Sequence, residues 1–530
     1  MKNAILSKLF LKKSKNKNQT TALFTDDDKF LTLKVLPLPV KNADTFTAVL
    51  NEEQALGFGI TASDKITITK QNGEKLVTNV AVSSKVPAWD LGVYENVIER
   101  FPLEKDEVVA IEVAESSSIA NEAIRKKMKW ETITYDEMYA IIKDISEWKL
   151  SEIMMTYYVA SSFFYPTTDE EMYQTAKAMA ECGVMFKYPK WEIVADKHCI
   201  GWVPWNETTM IAIPLLASLG IKMPKNFSKA ITSPAATGEC VNVLMDINFD
   251  KAWIERLIEE NNCCLVWWGG LDLAPADDKL IKVQYPLAMQ SRAKVVSSIM
   301  AKKYAMWVTH SIIDIPVGPT AKVTTMEEAL DWKQKFEYVG KKLWMKMTVQ
   351  ITPANEVIWN GVWAVLQVRE VLRVLQQHEK RPLDLEAKAI FLASKIIEIV
   401  GLAKGKKDAE RIARKQLESW EARKMMQKII KAQNGRNPDI RSEDLKPWIF
   451  TKEILADCDG KIKKVDLHNV NHIARRLGCP AIDEAGIYIS KRLGDKVKKW
   501  DVLFTMYSTS EAKIDLALQQ NEEKPAMIIG

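Results

Sequence analysis

The sequence predicts a multi-domain α/β protein: an N-terminal β-rich domain, a helical domain, an α/β domain with a mixed sheet, and a C-terminal α+β module. Three observations carry this. Its 530 residues suffice for about three domains, and 47% apolar residues can fill several cores. The apolar period changes from two to that of a helix near Ala120. From about Lys187 onward, β-branched runs alternate with helical stretches.

In chain order, residues 1–29 read as a basic, disordered tail, because lysines interrupt the apolar run before a signal peptide can form. Residues 30–118 hold short β-patterned runs (LTLKVLPL, KITITK, VTNVAVS, EVVAIEVA) separated by turn signals such as Asn72-Gly73. Residues 119–186 form the helical domain, with expected helices over Glu122–Lys129, Tyr135–Trp148, Leu150–Phe164 and Asp169–Cys182. Thr168 ahead of Glu170 and Glu171 is the N-cap of the last. Residues 187–440 form the α/β domain, with strands in WEIVADK, CLVWW, HSIIDIPV and KMTVQIT and a helical extension from Leu383 to about Gln433. Functional residues are expected in the loops that follow those strands. Residues 441–530 read as the C-terminal module, with short strands in ILAD, KIKKVD, IYIS and VLFTMY.

A formal charge of +5 is too small for this length to argue for nucleic acid. No apolar run reaches the roughly 18 residues of a membrane helix. Seven cysteines without CxxC spacing fit reduced thiols in a cytoplasm. His310, His378, His468 and His472 lie in no metal-ligand spacing, so neither a metal nor another cofactor is expected.

The stretch from Asp196 to Thr209, Asp-Lys-His-Cys-Ile-Gly-Trp-Val-Pro-Trp-Asn-Glu-Thr-Thr, follows a strand and runs into a helix. Free backbone N–H groups and the helix dipole favour an anion there, Lys197 adds charge, and Thr208 and Thr209 offer hydroxyls. An ordinary surface turn with helix-capping threonines gives the same local pattern.

The stretch resembles the DKHSIGGVPGN-R-TT signature of the archaeal-type AMP phosphorylases, nucleotide-cleaving relatives of the thymidine phosphorylases. The similarity extends to Ser228–Thr237, Leu273–Asp278, Ser298–Lys303 and Ile313–Lys322, and spans about residues 30–520. It implies a nucleoside-phosphorylase type of fold, assembled as a homodimer or larger. The implied reaction is phosphorolysis, in which inorganic phosphate as co-substrate displaces the base of a nucleoside 5'-monophosphate. Carried over by position, the resemblance places Lys197, Cys199, Thr209, Ser228 and Thr237 at phosphate. It places Trp202, Ser228, Lys229, Ala230, Ile231, Thr232, Ser233, Thr237, Ser298 and Lys322 at the nucleotide, and Lys197, His198 and Gln290 at the chemistry.

Gln290 stands where the family has the Asp that protonates the leaving base, and an amide cannot do so. Asp277 or Asp278 is an alternative acid, although a salt-bridging role is the commoner one. Cys199 replaces a phosphate-binding Ser and is a weaker donor. Gln284 stands where thymidine phosphorylases carry an Arg on the pyrimidine, which favours a nucleotide over a pyrimidine nucleoside. Thymidine phosphorylase and an inactive nucleotide-binding protein remain as alternative functions.

The chain has 21 glycines where average usage predicts about 37, and it has 17 tryptophans. Against the family pattern, Trp89, Trp130, Trp148, Trp202, Trp205, Trp268, Trp307, Trp344, Trp359, Trp363, Trp420 and Trp500 fall where glycine is expected, whereas Trp267 matches a family tryptophan. The pattern points to a gene in which UGA encodes glycine but is written as tryptophan; genuine aromatic enrichment for packing is the alternative.

Overall fold

The computed structural model describes residues 31–42, 45–62, 64–164, 167–201, 207–229, 236–267, 269, 271–284, 291–355 and 358–530. The expected tail and the expected site or glycine-type positions Trp202, Trp205, Ala230, Ile231, Thr232, Ser233, Trp268 and Gln290 lie outside them. The described chain forms two compact units.

The first unit opens with six strands, β1 (Leu31–Leu38), β2 (Thr47–Asn51), β3 (Lys65–Thr69), β4 (Lys75–Ser83), β5 (Asp90–Tyr94) and β6 (Val108–Val113), closed into a barrel in the order β1-β5-β2-β4-β3-β6. Alternation puts Leu33, Val35, Ile66, Ile68, Val109 and Ile111 inside. Closure removes the sheet edges that an open six-stranded sheet would expose. Helices Ser118–Met128, Tyr135–Ser146 and Glu152–Phe164 follow in the same unit, with Lys279–Gln284 returning to it.

The second unit begins with helix Asp169–Glu181, where the capping box forms: the Thr168 hydroxyl accepts from the Glu171 N–H at 3.1 Å, and the Glu171 carboxylate accepts from the Thr168 N–H at 3.2 Å. Its central sheet contains β7 (Ala195–Cys199), β8 (Met223–Phe227), β9 (Cys263–Trp267), β10 (His310–Val317) and β11 (Lys346–Pro353). β7, β10 and β11 pair in parallel, β8 pairs in parallel with β9, and a parallel bridge at Val194–Lys222 joins the two sets. The resulting order is β11-β10-β7-β8-β9, parallel throughout among the described residues, where a mixed sheet is expected from the sequence. Parallel strands need crossover segments, which helices Thr208–Ser218, Lys251–Asn261, Arg292–Ala305 and Met326–Lys342 supply.

Beyond β12 (Gly361–Val362), helices run from Ala364 to Ala432. The chain ends in an α+β segment with β13 (Phe450–Leu455), β14 (Gly460–Val465), β15 (Gly486–Ile489), β16 (Lys496–Val497), β17 (Val502–Ser508) and β18 (Met527–Ile529). Two sheets, β12-β15-β17-β13 and β16-β14-β18, are accompanied by helices Leu467–Leu477 and Glu511–Glu523.

Nine tryptophans have positive φ: Trp89, Trp130, Trp148, Trp307, Trp344, Trp359, Trp363, Trp420 and Trp500. They are the described members of the set expected from the sequence to fall on family glycines.

Thr168→Ala removes one half of the capping box. Unfolding in urea should show a loss of about 1 kcal/mol, without a change in the slope of the transition.

Candidate active site

From β7 the chain fills β8 and β9 on one side of the sheet, then returns to place β10 and β11 on the other. The carboxyl ends of β7 and β10 therefore flank a topological switch point, where two crossovers leave in opposite directions and open a crevice for a ligand. Asp196–Cys199 of the motif lie on β7, and Thr208 and Thr209 open the following helix.

In the β7–β10 register Lys197 lies opposite Ile312, and Cys199 opposite Asp314. Alternation puts Lys197, Cys199 and Asp314 on one face of the sheet and Asp196 and His198 on the other. On the first face the fully buried Lys197 ammonium donates to Thr208 Oγ1 at 2.7 Å and Thr209 Oγ1 at 3.4 Å, in the first turn of helix Thr208–Ser218. Burial lowers its pKa, offset in part by Cys199 and Asp314. Asp314 accepts from Thr352 Oγ1 at 2.7 Å and pairs with Lys388 at 3.2 Å. Burial, followed by Asp314, raises the Cys199 pKa, so the group stays a thiol.

On the opposite face Asp196 bridges two buried ammonium groups, Lys225 at 3.2 Å and Lys303 at 2.5 Å. Burial lowers Lys303 to about 7 despite Asp196. Burial, followed by Lys303 and Lys225, keeps His198 well below its usual pKa, so it is a neutral imidazole at pH 7.

Other expected site residues fall into two groups. Ser228 follows β8, and Thr237 opens the short helix Thr237–Asn242. Gly238 brings them together: its N–H donates to the Ser228 carbonyl at 3.3 Å, and a Cβ there would lie 2.8 Å from that oxygen. Thr237 also hydrogen-bonds Glu207, which links it to the start of helix Thr208–Ser218. Lys322 is half-buried; desolvation lowers its pKa to about 8, and Cys199 is the nearby group that partly restores it.

Ser298 is tied elsewhere. Its hydroxyl donates to Asp277 at 2.6 Å and accepts from Lys302 at 3.0 Å, while Lys302 pairs with Asp277 at 2.5 Å. Asp277 is thus engaged in an ion pair, the commoner role for such a carboxylate. Lys229 lies 4.4 Å over the ring of Trp267. Gln284 ends the helix Pro275–Gln284.

Glu207 is the residue that sequence reasoning missed. It stands where the resembled signature has Arg, it is buried immediately before the helix, and its Oε2 has no hydrogen-bond partner among the described residues. Burial pushes its carboxyl up to about 7, against the lowering effects of Lys197 and Thr237. Lys225, Lys303 and Lys388 were also illegible, because a lysine in a sequence reads as solvated surface.

Known proteins match this architecture. Residues 461–526 match the pyrimidine nucleoside phosphorylase C-terminal domain. An AMP phosphorylase of Thermofilum pendens is 34% identical over 498 residues, covering 94% of this chain and 95% of that one. The chain belongs to the AMP phosphorylase family. A second member, from Methanosarcina barkeri, is 34% identical and covers 91% of this chain and 94% of its own. Among solved structures, the anthranilate phosphoribosyltransferase of Thermus thermophilus aligns with a TM-score of 0.50 at 14% identity, covering 59% of this chain and 99% of that one, which shows a shared fold.

Within this family member, Asp196→Ala leaves Lys225 and Lys303 buried without their counter-charge. Chemical denaturation should show a loss on the order of 3–5 kcal/mol.

Proposed function

We propose that this chain is a nucleoside 5'-monophosphate phosphorylase that converts AMP and phosphate to adenine and ribose 1,5-bisphosphate. The observation that carries the reading is the buried Lys197 ammonium, held against Thr208 and Thr209 at the switch point of a parallel sheet. Two AMP phosphorylases that match nearly the whole chain support the substrate class.

In this reading Lys197, the Thr209 hydroxyl, Ser228 and Thr237 hold inorganic phosphate at the start of the helix. One oxygen of hydrogen phosphate bonds to ribose C1' as the C1'–N bond to adenine breaks, and the proton that hydrogen phosphate gives up ends on the leaving base, so no enzyme acid is consumed. A fixed nucleophile supplies much of the rate enhancement, because its orientation is settled before the reaction. Lys322, still largely protonated at pH 7, meets the 5'-phosphate. His198, neutral, hydrogen-bonds the nucleotide rather than carrying charge. The chain needs no cofactor in this scheme.

The test is a phosphate-dependent assay with AMP, CMP, UMP, thymidine and uridine, following release of the free base. Turnover of AMP is expected, with kcat/KM about 100-fold or more lower in Lys197→Met. Turnover of thymidine and of no nucleotide would reject the reading.

Glu207 adds a pH dependence. Its charged and hydrogen-bonding neighbours are Lys197 on β7 and Thr237, Glu239 and Cys240 on the helix Thr237–Asn242. Below about pH 7 its carboxyl is protonated and neutral; above that it places a negative charge beside the phosphate. KM for phosphate should therefore rise between pH 6 and 8 in the native enzyme relative to Glu207→Gln, a comparison in which the ionisation of phosphate itself cancels. Parallel profiles for the two proteins would remove Glu207 from the anion site.

A further inference from the structure

Of the fourteen tryptophans among the described residues, nine have positive φ and five, Trp191, Trp253, Trp267, Trp332 and Trp448, do not. Four of the five make ring or cation contacts of the kind a tryptophan makes. Trp191 stacks on Tyr188 with ring centroids 4.7 Å apart, Trp253 on Phe249 at 5.7 Å, and Trp332 on Phe336 at 6.1 Å, while Trp267 lies under the Lys229 ammonium at 4.4 Å.

The nine behave as glycines. Four of them, Trp130, Trp148, Trp307 and Trp344, follow a helix in one backbone pattern, with φ between 59° and 71°. After helix Ser118–Met128, Trp130 N–H donates to the Lys127 carbonyl at 3.2 Å and Glu131 N–H to the Lys126 carbonyl at 3.0 Å. This is the left-handed helix stop that glycine dominates, because a Cβ crowds the backbone there. The chain's own glycines make the same stop: Gly220, at φ 83°, donates to the Ala217 carbonyl at 3.0 Å, and Ile221 to the Leu216 carbonyl at 3.3 Å.

Trp363 is a stronger case. Its φ of 104° and ψ of 160° lie in a region that glycine alone populates in ordinary chains. It is also fully buried, with its indole N–H unpartnered among the described residues. Several of the others are on the surface, Trp344 at 92% exposure and Trp130 at 72%. Some indoles of the nine do make contacts, such as Trp148 edge-on to Phe46 at 6.2 Å, but such contacts do not require the left-handed backbone.

We infer that the native polypeptide carries glycine at these nine positions and tryptophan at the other five, the two sets being separated by backbone handedness. One codon, UGA read as glycine, accounts for the whole first set, and UGG for the second.

Peptide mass spectrometry of the protein purified from its own source tests this without reference to catalysis. Glycine at all nine positions and tryptophan at all five is expected; tryptophan found at any of the nine, or glycine at any of the five, overturns the assignment. The gene gives a second reading: UGA at the nine and UGG at the five supports the inference, and any other partition sinks it. Full-length protein made with glycine at the nine should unfold at a higher temperature than the chain as written, whereas a further Trp332→Gly change should lower that temperature. Equal midpoints for the first two proteins would contradict the backbone argument.

Discussion

Asp196 holds the centre of the second unit together, because two ammonium groups from different elements, Lys225 on β8 and Lys303 at the end of helix Arg292–Ala305, converge on its two oxygens behind β7. Charges this deeply buried are tolerated only when paired and hydrogen-bonded. Removing one partner would strand the others, so the place where these charges meet ties β7 to β8 and to the end of helix Arg292–Ala305. Alternation along the strand then aims Lys197 the other way, toward the start of helix Thr208–Ser218. A structural carboxylate and an ammonium turned toward a helix start are adjacent in sequence because a strand turns adjacent side chains to opposite faces.

The first face carries its own balance of charge. Lys197, Lys322 and Lys388 lie near Cys199 and Asp314, and Lys388 pairs with Asp314 at 3.2 Å. A buried ammonium beside two hydroxyls, as at Lys197, suits an anion. Glu207 sits on the same side with a carboxyl that is neutral at mildly acid pH. Desolvation raises the Glu207 carboxyl and lowers Lys197 and Lys322 together, which draws these groups toward neutrality.

Much of this was legible in the sequence. HSIIDIPV is β10 to the residue, Met326–Lys342 is the helix its spacing predicts, and the Thr168–Glu171 cap formed as its residue types require. β8 was not legible, because its MPKNF contains a proline and a lysine, yet every residue of it is buried. Its lysine is neutralised by Asp196, a partner 29 residues away that no local pattern reveals. Four of the six C-terminal strands are readable in the sequence, whereas β16, β18 and helices Leu467–Leu477 and Glu511–Glu523 are not. Lys197, Thr209, Ser228 and Thr237 are singled out by long ordered motifs, while a glutamate beside two threonines, as at Glu207, reads as a helix start.

Backbone handedness gives the tryptophan positions an energetic meaning. An L-residue in the left-handed region costs about 1–2 kcal/mol. Over nine residues that is on the order of 10 kcal/mol, comparable with the roughly 5–15 kcal/mol that separates a folded domain from its unfolded chain. Surface indoles such as Trp344, at 92% exposure, bury too little to offset it. Glycine removes this cost at each turn and loses only the entropy of a flexible residue in the unfolded chain. The fold with its helix stops, and with Trp363 between β12 and the helix Ala364–Leu375, is thus one that a chain bearing glycine at those turns adopts without strain.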